Sequence, residues 1–171
     1  DLNGKFELDL VYAYNNKLSK SLVSGNVIKV DAGNILKEQL FTIAQVSKTL
    51  DGKISVHAEH ISYIMQDLTL KPKTVVYQQD AQNALKQLLN AIKETDHGFT
   101  VVSDISTISS STWSVPDFKT PRDVLAGVKG SILDNWGGEY KFDNRRISLL
   151  KQRGSYANTV IAYGRNLLDF E

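Results

Sequence analysis

Apolar and polar residues alternate from the start of the chain. Phe6, Leu8, Leu10, Tyr12 and Tyr14 fall on one side of an extended backbone, and Lys5, Glu7, Asp9, Val11 and Ala13 on the other. This period of two is the mark of a half-buried strand. Leu18, Leu22 and Val23 share one side of residues 17–23 and predict a helical turn or two, ended by Ser24-Gly25-Asn26. Val27, Ile28 and Val30 predict a short strand, and Ala32-Gly33-Asn34 a turn. Residues 40–46 read as a strand. Asp51-Gly52 then offers two positions that accept positive φ, so residues 54–58 are expected to return antiparallel. A meander of about four strands follows.

The period changes beyond Lys71-Pro72-Lys73. Pro72 lacks a backbone donor and holds Lys71 extended. Ala81, Ala84, Leu85, Leu88, Leu89 and Ile92 then follow the spacing of one helix face, with Asp80 as N-cap and Gly98 as the stop. Residues 99–102 and 108–115 read as strands. Thr120-Pro121-Arg122-Asp123 combines a hydroxyl cap, proline at the first helical position and a carboxylate at the third. Val124, Leu125, Val128, Ile132 and Leu133 predict one helix behind it, weakened by about 1 kcal/mol at each of Gly127 and Gly130. Gly137-Gly138 breaks that helix. Tyr140 and Phe142, the turn residues Asp143-Asn144, then Ile147 and Leu149 predict a hairpin, followed by a strand over residues 159–163. The expected fold class is α+β with mostly antiparallel sheet, a partial barrel or meander joined to a smaller α+β module containing two helices.

Composition narrows the function. The chain has 171 residues, 42% hydrophobic and 23% charged, as in an ordinary globular protein of one domain or two small ones. Its net charge of +1 argues against a dedicated nucleic-acid binder. With no Cys, it has no disulfide, thiolate metal site or Cys nucleophile. No apolar run approaches the roughly 20 residues of a membrane helix. The chain opens at Asp1 within a few residues of a strand and stops in the apolar alternation Leu167-Leu168-Asp169-Phe170-Glu171, so it is expected to be a piece of a larger protein.

Candidate chemistry is sparse. His57 and His60 sit three apart, which on a strand places them on opposite faces. No His-Glu-x-x-His or Gly-x-Ser-x-Gly signature is present, and neither is a phosphate loop, a dinucleotide fingerprint or a calcium loop. His97 falls in a loop beside Asp96. No catalytic, cofactor-binding or metal-binding residue is assigned, and no cofactor. Arg145, Arg146, Lys151, Arg153 and Arg165 gather near the last hairpin, balanced by Glu139, Asp143, Asp169 and Glu171. A solvated polar face is the favoured reading, ahead of a surface for acidic partners, wall polymers or DNA. Trp113, Trp136 and Tyr140 have the chemistry to stack on a sugar, though such aromatics more often fill cores.

Three stretches carry a resemblance. One is Trp136-Gly137-Gly138-Glu139, followed by Lys151-x-Arg153-Gly154 and Tyr163-Gly164-Arg165-Asn166-Leu167. The second, residues 51–63, ends Ala58-x-His60-Ile61-x-Tyr63. The third is Asn3-Gly4-x-Phe6-Glu7-Leu8. Together and in this order they resemble the tail-associated proteins of siphophages and prophages, the tail-tip hub proteins labelled prophage endopeptidase tail. The resemblance implies a virion structural protein, assembled in the host bacterial cytoplasm and placed at the tail tip. It implies a full-length trimer that closes the tail tube, with the distal tail protein ring and the tape measure protein as partners. In that family β tube domains are interrupted by insertions. Residues 1–71 plus 156–171 are therefore expected to form a split tube-like domain and residues 72–155 an inserted module; the alternative is one continuous α+β domain. The implied role is structural, without catalysis in this chain, a membrane or a specific nucleic acid. The alternatives are a tail-associated peptidase, as the label suggests, and a carbohydrate-binding module.

Overall fold

Four strands build the first half of the molecule: β1 (Glu7–Ala13), β2 (Val27–Ala32), β3 (Leu36–Lys48) and β4 (Lys53–His60). They come from a computed structural model that describes residues 4–14, 17–115 and 117–154. The closing strand expected at residues 159–163, and Arg165 with it, lie outside the described residues. β2, β3 and β4 meander as expected, but β1 lies beside β4, so the order is β1-β4-β3-β2. The reason is the connection after β1. A 3-10 turn at Lys17–Ser21 and a tight turn, in which Asn26 N donates to Val23 O at 3.1 Å, carry the chain from one edge of the sheet to the other.

The sheet curls into a half-barrel. Register shifts at Val30/Ala32 and Ile43/Gln45 mark bulges, which bend a strand and increase its twist. Phe41, Ile43, Ile54, Val56 and Ala58 are buried on the concave side. The inward residues of the outer strands, Leu8 and Leu10 on β1 and Ile28 and Val30 on β2, are only half-buried.

A 3-10 helix at Ile61–Gln66 leads into a second, larger core, which already takes in Met65 and Leu70. The following strand, β5 (Lys73–Gln79), was not predicted. Its Thr74-Val75-Val76-Tyr77 run has β-branched and aromatic character but no clean alternation of apolar and polar residues. The helix α1 (Ala81–Ala91) begins as expected, with the Asp80 carboxylate accepting from Asn83 N at 2.8 Å. It stops well before Gly98. Ile92 turns extended to bridge Leu70, and Lys93 N donates to Thr69 O at 2.9 Å, so tertiary pairing ends the helix. Leu85 and Leu88 are fully buried.

β6 (Thr100–Ser103) and β7 (Ser109–Ser114) follow. The predicted second helix is in fact two: α2 (Pro121–Leu125) and α3 (Ile132–Trp136). Thr120 and Asp123 form the expected capping box. Gly127 and Gly130, at φ of +94° and +86°, then turn the chain where a helix would need negative φ. Ser131 caps the restart. The hairpin of β8 (Glu139–Asp143) and β9 (Arg146–Leu150) forms as read, with Asn144 at φ of +51° in its turn. β7 pairs with β5, while β9 lies between β8 and β6 and runs parallel to β6.

Candidate functional site

The two cores meet at a polar junction built from residues far apart in sequence. Gln39 on β3 and His60 at the end of β4 are both fully buried. The tip of the β8–β9 hairpin reaches them. Gln39 Nε2 donates to Asp143 Oδ1 at 2.8 Å, Asn144 N donates to Gln39 Oε1 at 2.9 Å, and Leu40 N donates to Asn144 Oδ1 at 2.9 Å. With its amide nitrogen used as donor, Gln39 has Oε1 to offer His60 Nε2, 3.2 Å away, so that ring nitrogen carries the proton. His60 Nδ1 is then the acceptor for Ser62 N at 3.3 Å, with Ser62 Oγ 3.0 Å away. Phe6 stacks on the imidazole at 4.2 Å. Burial, reinforced by the Arg122 charge and opposed by Asp143, pushes His60 down to about 4. It is therefore a neutral, fully bonded pin.

Beside the junction lies a cleft of about 370 Å³, lined by Glu7, Tyr63, Gln66, Arg122, Leu125 and Phe142 among others. Its floor includes Tyr140, whose hydroxyl donates to Leu125 O at 3.0 Å and whose ionisation burial strongly disfavours. The Arg122 guanidinium lies 4.0 Å from the Tyr63 ring centroid and 5.6 Å from that of Phe142. Tyr63 in turn donates to Glu7 Oε1 at 3.2 Å.

The third feature is open sheet edge. Among the described residues, β1 and β2 each have a neighbour on one side only. Large apolar side chains stand exposed along these strands, Val11 on β1 and Val27 on β2. The β5–β7 ribbon likewise has two open edges and exposes Val75 and Tyr77. Unpaired edges are templates for another strand, and exposed apolar side chains beside them favour contact with protein.

The residues singled out in the sequence scatter. His57 and His60 occupy opposite faces of β4. His57 Nδ1 lies 2.8 Å from Asp9 Oδ1 on the convex side, and that hydrogen bond raises its affinity for a proton. His97 accepts from Phe99 N at 3.0 Å, and its carbonyl accepts from Arg145 Nη1. Among the described residues near the junction, His60 and Ser62 make a histidine–hydroxyl contact, and both are fully buried, which closes them to any substrate. Trp113, Trp136 and Tyr140 are core residues, with Trp136 Nε1 donating to Gln79 O at 2.9 Å. Arg145 packs 5.6 Å from the Phe99 ring, while Arg146, Lys151 and Arg153 are exposed. No group of three or more metal-ligating side chains occurs among the described residues. Sequence reasoning missed Gln39, Asn144 and Arg122; the β8–β9 turn signal was visible, but not what it would touch.

No protein-family model and no curated protein matches the chain. Among solved structures, it is similar to the crystal structure of prophage tail protein gp18 from Listeria monocytogenes EGD-e. The TM-score is 0.64 and the sequence identity 20%, over 97% of this chain and 47% of that one. The chain thus spans about half the length of that protein. At this identity the likeness is one of architecture: a half-barrel sheet joined to an α+β core is the fold of part of a prophage tail protein.

Proposed function

We propose that this chain is a portion of a phage or prophage tail structural protein, placed at the tail-tip hub, and that it works by assembly. The observation that carries this reading is the shared fold with a prophage tail protein over 97% of the chain. The three separated tail-family motifs in the sequence point the same way. Among the described residues the outer strands are unpaired on one side and their inward residues half-buried, which supplies the physical means, because another strand can complete both the pairing and the apolar burial. In this reading residues 1–71 and 156–171 form the tube-like domain and residues 72–155 the inserted module. The full-length protein is a trimer that closes the tail tube against the distal tail protein ring, contacts the tape measure protein, and carries host-recognition or wall-degrading modules. It is assembled in the host bacterial cytoplasm and ends in the virion.

Neither a tail-associated peptidase nor a carbohydrate-binding module draws support from a particular observation. The nearest histidine–serine contact is sealed, and the aromatics with sugar-stacking chemistry are in the core. Gold-labelled antibody against this chain, applied to purified tails, tests the placement. Label at the tip is expected. Label along the shaft, or none on intact tails, contradicts it.

A further inference from the structure

Among the described residues lining the cleft, Arg122 has a buried side-chain nitrogen with no hydrogen-bond partner. A guanidinium has five N–H donors arranged in its plane. The Tyr63 and Phe142 rings engage its face, a contact that does not use the in-plane N–H groups. Its Nη1 is buried with no hydrogen-bond partner. Glu7 and Glu59 are near enough to favour its charge, yet no carboxylate among the described residues lies within ion-pair distance of it. Glu7 is engaged by the Tyr63 hydroxyl and by Lys5, at 3.8 Å. With Lys5, Glu7 and Arg122 lining it, the cleft carries one net positive charge. Its remaining wall is largely apolar, from Leu125, Ala126 and Phe142. Its volume is at the lower end of small-ligand sites.

We propose that this cleft is a docking site for one carboxylate of a partner polypeptide, an Asp or Glu side chain flanked by an apolar residue. A carboxylate matches the planar donor edge of arginine in a way that a single point charge does not. The aromatic rings hold that edge in place, and the apolar wall takes the flanking side chain. This goes beyond the tail role and does not depend on it, since the cleft binds or fails to bind such a peptide whatever the oligomeric state.

Titrating the isotopically labelled chain with N-acetyl-Asp-Phe-amide, beside the neutral N-acetyl-Asn-Phe-amide, tests the proposal by NMR. The aspartyl peptide is expected to produce saturable shifts at the amides of Tyr63, Gln66 and Gly127. The asparaginyl peptide should bind roughly tenfold more weakly or worse, as expected when a charged hydrogen bond is lost. Arg122→Gln should weaken the aspartyl peptide to the same level, and Arg122→Lys should restore only part of the binding. The peptide pair needs no variant, so the comparison stands even if Arg122→Gln fails to fold. Equal binding of the two peptides, shifts elsewhere on the surface, or no saturable shift in the millimolar range would overturn the proposal.

Discussion

His60 stays neutral because of what surrounds it. Its protonated form would need a second acceptor where Ser62 N now donates, in a site closed to water and near the Arg122 charge. The folded value of about 4 lies below the ordinary 6.5, so between these values the unfolded chain binds more protons than the folded one. Stability is therefore unaffected by His60 above about pH 6.5 and is lost as pH falls toward 4, by at most about 3 kcal/mol. His57 acts in the opposite sense. Raised by Asp9, it contributes below its ordinary value and is lost as pH rises, but it is exposed and weak. Asp31, Asp51 and Glu94 are each held below their ordinary range, chiefly by a backbone hydrogen bond at Asp31 and Glu94 and by Lys53 at Asp51; they withdraw their support at more acid pH. The difference between wild type and His60→Asn isolates the pin. Urea titrations from pH 7 to pH 4 are expected to show that difference shrinking by up to about 3 kcal/mol; a constant difference would mean that the ring is not held neutral. None of this was legible in the sequence. Strand parity separated His57 from His60, but no local signal brings Gln39 to a hairpin tip more than a hundred positions away.

At the scale of elements, local chemistry was a good guide where it stood alone. The Asp80 cap, the Thr120 capping box and the Asp143-Asn144 turn all rest on contacts within a few residues, and each was readable. Elements shaped by distant partners were not. α1 ends early to let Ile92 meet Leu70, β1 finds β4 across the sheet, and β5 exists because β7 lies beside it. The glycines after α2 show the same limit, since apolar spacing continued across Gly127 and Gly130 while the backbone turned. Two glycines with similar φ separate strain from crowding. An added Cβ at Gly127 meets nothing within 4 Å, whereas at Gly138 it would lie 2.4 Å from Ile105 Cδ1 and 2.8 Å from Leu150 O. Gly127→Ala should cost about 1–2 kcal/mol from backbone strain. Gly138→Ala should cost clearly more by thermal unfolding, and equal losses would contradict the packing described around β8. The proposed tube-like domain has its own test. Removing residues 156–171 should increase hydrogen exchange at one outer strand, β1 or β2, while leaving the other outer strand and α1 unchanged. Unchanged exchange in the half-barrel would favour one continuous domain.

At the scale of the whole molecule, the described residues form two cores joined by a pinned seam, and among them one core is rimmed by strands paired on one side only. The change from period two to the helical period beyond Pro72 was legible and announces α1, while the second core already takes in Met65 and Leu70 before it. The seam was not, because it is made of polar residues whose partners are set by the fold. The proposed assembly would use the same asymmetry. A half-barrel with half-buried rim residues can gain pairing and apolar burial from a neighbour. In the proposed hub a trimer would form a six-fold-like ring when each subunit supplies two tube domains, and the described strands suffice for at most one. A stable interface buries on the order of 1,200–2,000 Å², so in that reading a chain with one tube-like domain would lack half of each ring contact. Multi-angle light scattering of this chain and of the full-length protein, across micromolar concentrations near neutral pH, tests the assembly account most directly. The account predicts a monomer for the 171-residue chain and a trimer for the full-length protein. A tight trimer from the 171-residue chain alone, or a full-length protein that stays monomeric, would contradict it.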